Sequence, residues 1–249
     1  MKYGICPQSI VPLRLEPSDR SEMVSQILYG EIFKIVDARK KWSKIRLEFD
    51  GYEGWVDNKQ FNVLTKDLYE SLQKKSPEYS ADLVDFVLNE SQQLTPITIG
   101  CTVNGCSLMN HIFEGHKQSK KMPKAHLVET ALLYLNAPYL WGGRTPFGVD
   151  CSGLTQMVYM LNGYAILRDA SQQATLGEAL SFIEESEPGD LAFFDNEEGA
   201  IIHVGIIMED HHIIHAHGKV RIDRLDHTGI FNLDSRKHTH KLRVIKKII

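Results

Sequence analysis

Apolar and polar positions alternate in short runs over the first sixty or so residues, and the period changes further along. Glu31-Ile32-Phe33-Lys34-Ile35-Val36 and Trp42-Ser43-Lys44-Ile45-Arg46-Leu47 carry the β-branched and aromatic content of strands, partly in alternation. Asp50-Gly51 is a hairpin signal, with Tyr52-Glu53-Gly54-Trp55-Val56 as the returning strand. These runs predict a small barrel of about five or six strands, because closure removes exposed strand edges. Lys66 to Lys74 and Ala81 to Leu88 have helical spacing, and Pro96 to Cys101 turns strand-like. Residues 63–118 therefore read as a connecting segment or a second, degenerate barrel unit. From about residue 119 helices precede strands. Leu127, Val128, Ala131, Leu132 and Leu135 form one helical face, and Leu154, Met157, Val158 and Leu161 form another that stops at Gly163. Strands are expected at Leu191-Ala192-Phe193-Phe194, His203 to Met208 and His212 to His217. Helices followed by an antiparallel sheet make residues 119–249 an α+β domain.

The 249 residues are 43% hydrophobic and 24% charged, with a net charge of −4, as in an ordinary soluble globular protein. No basic stripe with interleaved aromatics points to nucleic acid, and Lys117 to Lys124 reads as a solvated linker. No apolar run approaches the roughly 20 residues needed to cross a bilayer, so no membrane association is expected. The first residues, Met1-Lys2-Tyr3-Gly4-Ile5-Cys6-Pro7-Gln8, lack the apolar core of a signal peptide. With Met1 as the start, a cytoplasmic protein is expected. The four cysteines, Cys6, Cys101, Cys106 and Cys151, are too few and scattered for a disulfide scaffold or a Cys-rich zinc site.

Cys151 stands out. It follows the Gly-rich tract Pro138-Tyr139-Leu140-Trp141-Gly142-Gly143 and opens an amphipathic helix behind Asp150, a good N-cap. An ordinary thiol has a pKa of about 8.5, and a helix N-terminus can lower it by one unit or more. A base is available downstream. With a three-residue hairpin loop at 208–210, His203 lies opposite His215; with the loop at 209–211, it faces His217 and His215 is diagonal on the same face. Periodicity does not decide which of His215 and His217 orients His203. The histidines at 211, 212, 215 and 217 could also suggest a metal site, but no His-Glu-x-x-His helix or spaced carboxylate accompanies them. Neither a metal nor a cofactor is expected.

Two resemblances follow from these residues. Pro12-Leu13-Arg14, Ser21-Glu22-Met23, Tyr29-Gly30-Glu31 and Gly51-Tyr52-Glu53-Gly54-Trp55-Val56 resemble a bacterial SH3-like domain, assigned to residues 1–62. On that resemblance, 63–118 could be a second, degenerate SH3-like unit. Tyr139-Leu140-Trp141-Gly142-Gly143, Asp150-Cys151-Ser152-Gly153-Leu154, Arg168-Asp169-Ala170-Ser171-Gln172-Gln173, Pro188-Gly189-Asp190-Leu191 and His203-Val204-Gly205-Ile206 occur in that order. Together they resemble the NlpC-type papain-like cysteine peptidases of bacterial cell-wall metabolism. The resemblance implies Cys151 as nucleophile, His203 as base and His215, rather than His217, as the third member. It also implies cleavage of the γ-D-glutamyl–diamino acid bond in peptidoglycan stem peptides with a free N-terminal L-Ala, in wall recycling. Tyr139, Asp150, Ser152 and Ser171 would line the pocket, with Glu22 and Tyr52 reaching in from the barrel. Peptidoglycan-derived muropeptides are then the expected partners of a monomer. A cysteine amidase or acyltransferase of the same fold, acting on another amide or ester, is the alternative.

Overall fold

The computed structural model describes residues 2–249, and the chain divides into two compact units, Met1–Lys120 and Lys121–Ile249. Among the described residues no helix is long and apolar enough to cross a membrane.

The first unit holds β1 (Lys2–Ile5), β2 (Ile10–Arg14), β3 (Met23–Leu28), β4 (Ile32–Ala38), β5 (Trp42–Leu47), β6 (Glu53–Asp57) and β7 (Asn62–Leu64). These form one antiparallel sheet in the order β3-β2-β6-β5-β4-β1-β7. Alternating residues such as Val11, Leu13, Phe33, Ile45 and Val56 meet in its core. The Asp50-Gly51 signal makes the expected turn: Gly51 has φ +74°, and Tyr52 N–H donates to Asp50 Oδ1 at 2.9 Å. The sheet does not close by pairing, since its edge strands β3 and β7 are not bonded to each other. The expected closed ring of five or six strands is thus an open seven-stranded sheet here. Part of the difference is β7, which takes Val63 and Leu64 from the segment read as a connection and pairs with β1.

Residues 63–118 continue within this unit as α1 (Lys66–Gln73), β8 (Tyr79–Ser80), β9 (Val84–Leu88), β10 (Leu94–Thr98) and β11 (Lys117–Gln118). The helix expected over Ala81–Leu88 is instead β9, paired antiparallel with β10 from Val84↔Thr98 to Leu88↔Leu94. The pairing wins because a short apolar run fits both periods, and a partner strand follows within a few residues.

The second unit opens with α2 (His126–Leu132), the short ladder β12 (Arg144–Thr145) and β13 (Gly148–Val149), α3 (Cys151–Leu161) and α4 (Ala170–Gln173). It continues with β14 (Glu178–Leu180), β15 (Leu191–Asp195), β16 (Ile201–Met208), β17 (His212–His217), β18 (Lys219–Leu225), β19 (Gly229–Asn232) and β20 (Lys237–Lys247). Every residue of α3 is buried, and its chain leaves at Gly163 with φ +82°, where the sequence placed the stop. The sheet runs β14-β20-β15-β16-β17-β18-β19, and β19 pairs back onto β20. Six strands therefore close into a barrel with β14 flanking it, where an antiparallel sheet was expected. β18, β19 and β20 complete the ring.

Ala192, Phe194, Ile207, Ile213, Leu225, Ile230 and Ile245 come from all six barrel strands and pack together, so their faces turn inward. His203 shares the face of Ile207, His215 that of Ile213, and Asp223 that of Leu225. Apolar side chains fill one part of the barrel, and polar groups occupy another part of the same interior face.

Candidate active site

Asp150 organises the start of α3. Its Oδ1 accepts the Gly153 N–H at 2.6 Å as an N-cap, and its Oδ2 accepts the Gly142 N–H at 2.8 Å. The Gly-rich tract is thereby tied to the helix that carries Cys151. Arg168 closes the frame, donating from Nη1 and Nη2 to the two Asp150 oxygens at 2.9 and 2.6 Å, and to Ser152 Oγ at 2.9 Å. Asp150 is 6% exposed and Arg168 1%, so this is a buried, bidentate ion pair. A side chain at Gly153 would collide with the Gly143 carbonyl oxygen, which explains the glycine in Asp-Cys-Ser-Gly.

Cys151, the first residue of α3, is buried, and the Val204 and Ser152 amides favour its thiolate. Val204 follows His203 on β16, so the head of α3 lies against the strand that carries His203. Burial pushes the thiol up to about 12, and the Asp150 carboxylate adds to the rise. The two amides and Arg168 act in the other direction and lose. The lowered thiol pKa expected of a helix N-terminus is therefore not what the site shows. Desolvation with an adjacent carboxylate outweighs the helix end.

The β16–β17 register, Ile206↔Ile214, Ile207↔Ile213 and Met208↔His212, leaves 209–211 as the loop. Asp210 and His211 take φ +54° and +57° there, and His212 N–H donates to Glu209 O at 3.2 Å. Carried back along the strands, this register sets His203 across from His217 and His215 on the diagonal. The diagonal residue makes the bond: His203 Nε2 and His215 Nδ1 lie 2.8 Å apart, with their rings nearly perpendicular at 85°. His217 is exposed, and its ring lies 6.2 Å from that of His215. Gly205 sits across from His215 in this register. A Cβ at Gly205 would lie 3.0 Å from His215 Cβ and 2.7 Å from Ile213 Cδ1, so the glycine makes room for the imidazole.

His203 is held well below the usual histidine range, by burial first and then by His215, His240 and His217. His215 is lowered too, by burial, although Asp223 opposes the shift. The resting site thus contains a neutral thiol and neutral imidazoles. Among the described residues no group of three His, Cys, Asp or Glu side chains could hold a metal ion.

Tyr139 is half-buried. Burial, then the proximity of Cys151 and Asp150, raises its phenol to about 12, so it is a protonated donor near the thiol at neutral pH. Ser152 is buried between Asp150 and Arg168, while Ser171 is exposed on α4. Glu22 and Tyr52 belong to the first unit, where Glu22 is exposed and Tyr52 packs half-buried against the sheet core. Sequence reasoning missed His240, whose ring stacks on His203 at 4.1 Å and 23° and is pushed down to about 4, chiefly by burial. It also missed Asp223, which lies 3.1 Å from His215 Nε2, and gave no role to Arg168. Strand alternation in His238-Thr239-His240 was the available signal for His240.

Residues 136–236, which include Cys151, His203 and His215, match the model of the NlpC/P60 family. The second unit carries an NlpC/P60 domain. Residues 13–61 match the bacterial dipeptidyl-peptidase SH3 domain, so an SH3 domain precedes the NlpC/P60 domain. The chain is 29% identical over 236 residues to the γ-D-glutamyl-L-lysine dipeptidyl-peptidase of Bacillus subtilis, covering 86% of this chain and 75% of that one. It is 26% identical over 251 residues to dipeptidyl-peptidase 6 of Lysinibacillus sphaericus, covering 86% and 88%. A crystal structure of an NlpC/P60 family protein from Bacillus cereus superposes with a TM-score of 0.78 at 18% identity, covering 99% of both chains, and shares the fold. The NlpC/P60 domain is that of a peptidase family.

Proposed function

We propose that the protein is a cysteine endopeptidase that hydrolyses the γ-D-glutamyl–diamino acid bond of peptidoglycan stem peptides bearing a free N-terminal L-Ala, in cell-wall recycling. One observation carries the reading: His203, bonded to His215 at 2.8 Å, sits on the strand whose next amide, Val204, favours the Cys151 thiolate. On this reading Cys151 is the nucleophile, His203 the base and His215 the group that orients it, all within the domain that matches a peptidase family. The names of the relatives from Bacillus subtilis and Lysinibacillus sphaericus favour a dipeptidyl-peptidase over an amidase or acyltransferase.

With its Nε2 engaged by His215, His203 would use Nδ1 to take the proton from Cys151 as the thiol attacks the amide carbonyl. Because the resting pair is neutral, proton transfer accompanies attack instead of preceding it. His203 then protonates the leaving amine, and water resolves the thioester. As the first residue of α3, Cys151 has a backbone N–H without an acceptor inside its helix, and it would face the developing oxyanion. The protonated Tyr139 phenol is the second proposed donor.

Ser152, Ser171, Glu22 and Tyr52 are proposed to contact substrate. Asp150, whose oxygens already carry Arg168 and two amides, bears on the substrate by holding this frame. A free α-ammonium in a closed site needs an anionic acceptor, the role proposed for Glu22. Incubation with L-Ala-γ-D-Glu-diamino acid tripeptide and its N-acetylated analogue tests the reading. Cleavage of the free form only, at the γ-D-glutamyl bond, supports it; equal cleavage of both, or of neither, overturns it.

A further inference from the structure

The bond between His203 Nε2 and His215 Nδ1 joins two imidazoles, and either nitrogen could carry the shared proton. The direction decides whether the site can work. If His215 donates, neutral His203 carries its own proton on Nδ1 and has no lone pair there for the thiol proton. If His203 donates, Nδ1 is bare.

Asp223 is fully buried and receives four hydrogen bonds. Arg221 Nε and His215 Nε2 meet Oδ2 at 2.6 and 3.1 Å, while Arg221 Nη2 and the Leu233 N–H meet Oδ1 at 2.9 and 3.0 Å. Arg221 is itself anchored on its far side by Asp234, 2.9 Å from Nη1. A carboxylate clamped in this way only accepts, so the hydrogen on His215 must sit on Nε2. Neutral His215 then has a bare Nδ1 and can only accept from His203.

We propose that Asp223 is a positioning residue: clamped by Arg221, it fixes His215 as the Nε2–H tautomer and thereby His203 as the Nε2–H tautomer with a bare Nδ1. The inference rests on the reading of His203 as the base. No proton reaches Asp223 in the reaction. When Cys151 gives its proton to His203 Nδ1, His203 becomes an imidazolium that still donates from Nε2 to His215, and the Asp223 charge stabilises it through His215. The titratable and charged groups around this chain are His203 on β16, His215 and His217 on β17, Arg221 on β18, Asp234 after β19 and His240 on β20. Burial first, then His215, His240 and His217, lowers His203; burial, His217 and Arg221 lower His215 against Asp223, so both imidazoles are neutral. Asp223 is itself held far below the usual carboxylate range by His215, Arg221 and the Leu233 amide, against burial.

The test is nitrogen-15 histidine NMR on the full chain at pH 7.5, with kinetics on the free tripeptide. In the wild type both His203 and His215 should show the Nε2–H tautomer. In Asp223→Asn, Arg221 claims the amide oxygen and the amide NH2 faces His215 Nε2, so both tautomers should reverse. kcat should then fall about 10²–10⁴-fold with KM within about threefold, by analogy with a wrong-tautomer triad. A merely structural role for Asp223 would lower the melting temperature without reversing the tautomers. An Nδ1–H signal on either histidine of the wild type overturns the inference without any variant. Unchanged tautomers and kcat in a folded Asp223→Asn also overturn it. Cys151→Ala separates this inference from the functional reading. It should abolish hydrolysis and leave both tautomers as in the wild type; hydrolysis that survives it would refute the reading of the site, while the tautomers still report on Asp223.

Discussion

Gly205→Ala probes the link between the barrel register and the chemistry. The new methyl would lie 3.0 Å from His215 Cβ and 2.7 and 2.8 Å from Ile213 Cδ1 and Cγ1. Carbon atoms prefer about 3.5–4.0 Å, so Ile213 must retreat by about 0.5–1 Å and His215 by a few tenths of an ångström. Ile213 can give at its terminal atoms, whereas His215 Cβ can move only with its own backbone. Movement of the His215 Cβ carries its ring and so lengthens and bends the 2.8 Å His203–His215 bond. Overpacking costs about 1–3 kcal/mol, while alanine in a strand recovers about 0.5–1 kcal/mol of the conformational entropy that glycine loses. The net stability change is therefore modest. Misplacing a catalytic group by about 1 Å costs about 100-fold in rate, equivalent to about 2.7 kcal/mol of barrier. The signature is a kcat/KM lowered by about 10–100-fold with a melting temperature lowered by only a few degrees. Adding Ile213→Val removes the Cδ1 contact and should restore part of the stability but none of the activity. Wild-type kcat/KM in Gly205→Ala, or full rescue of activity by Ile213→Val, would refute the reasoning.

Two further outcomes follow from the electrostatics. Cys151, pushed up to about 12 beside a His203 held well below its usual range, should be alkylated by iodoacetamide at a rate that rises about tenfold per pH unit from pH 6 to 9; a plateau across neutral pH would mean a resting thiolate–imidazolium pair instead. Arg168→Met leaves the buried Asp150 carboxylate without its cation, and urea denaturation should show a loss of roughly 3–5 kcal/mol from the NlpC/P60 domain. Stability within 1 kcal/mol of the wild type would show that the pair does not hold the head of α3.

Cys151, its helix and the histidine hairpin were legible in the sequence because all three are local. Asp150 as a cap, Gly163 as a stop and the strand alternation that puts His203 and His215 on one face are each read from a few neighbouring residues. Both odd-length loops considered keep His215 on the face of His203, so the pairing survived even though the loop proved to be 209–211. What remained hidden is long-range. Closure of the second unit depends on β20 meeting both β15 and β19, and no local pattern in the charged run Lys237–Lys247 announces two partners. His240 and Asp223 reach the site only through that closure and through the β17–β18 register. The Ala81–Leu88 segment failed for the opposite reason, since its apolar residues fit a helix and a hairpin strand alike. The thiol pKa was misjudged because burial cannot be read from a helix N-terminus alone. The helix end was visible in the sequence; the depth of Cys151 was not.

Rapid-quench mass spectrometry during turnover of L-Ala-γ-D-Glu-L-Lys tests the central claim most directly. The account predicts an L-Ala-γ-D-Glu acyl adduct on the peptide containing Cys151, and neither adduct nor free lysine with Cys151→Ala. Lysine release that persists in Cys151→Ala, or that stops with a chelator in the wild type, would contradict it.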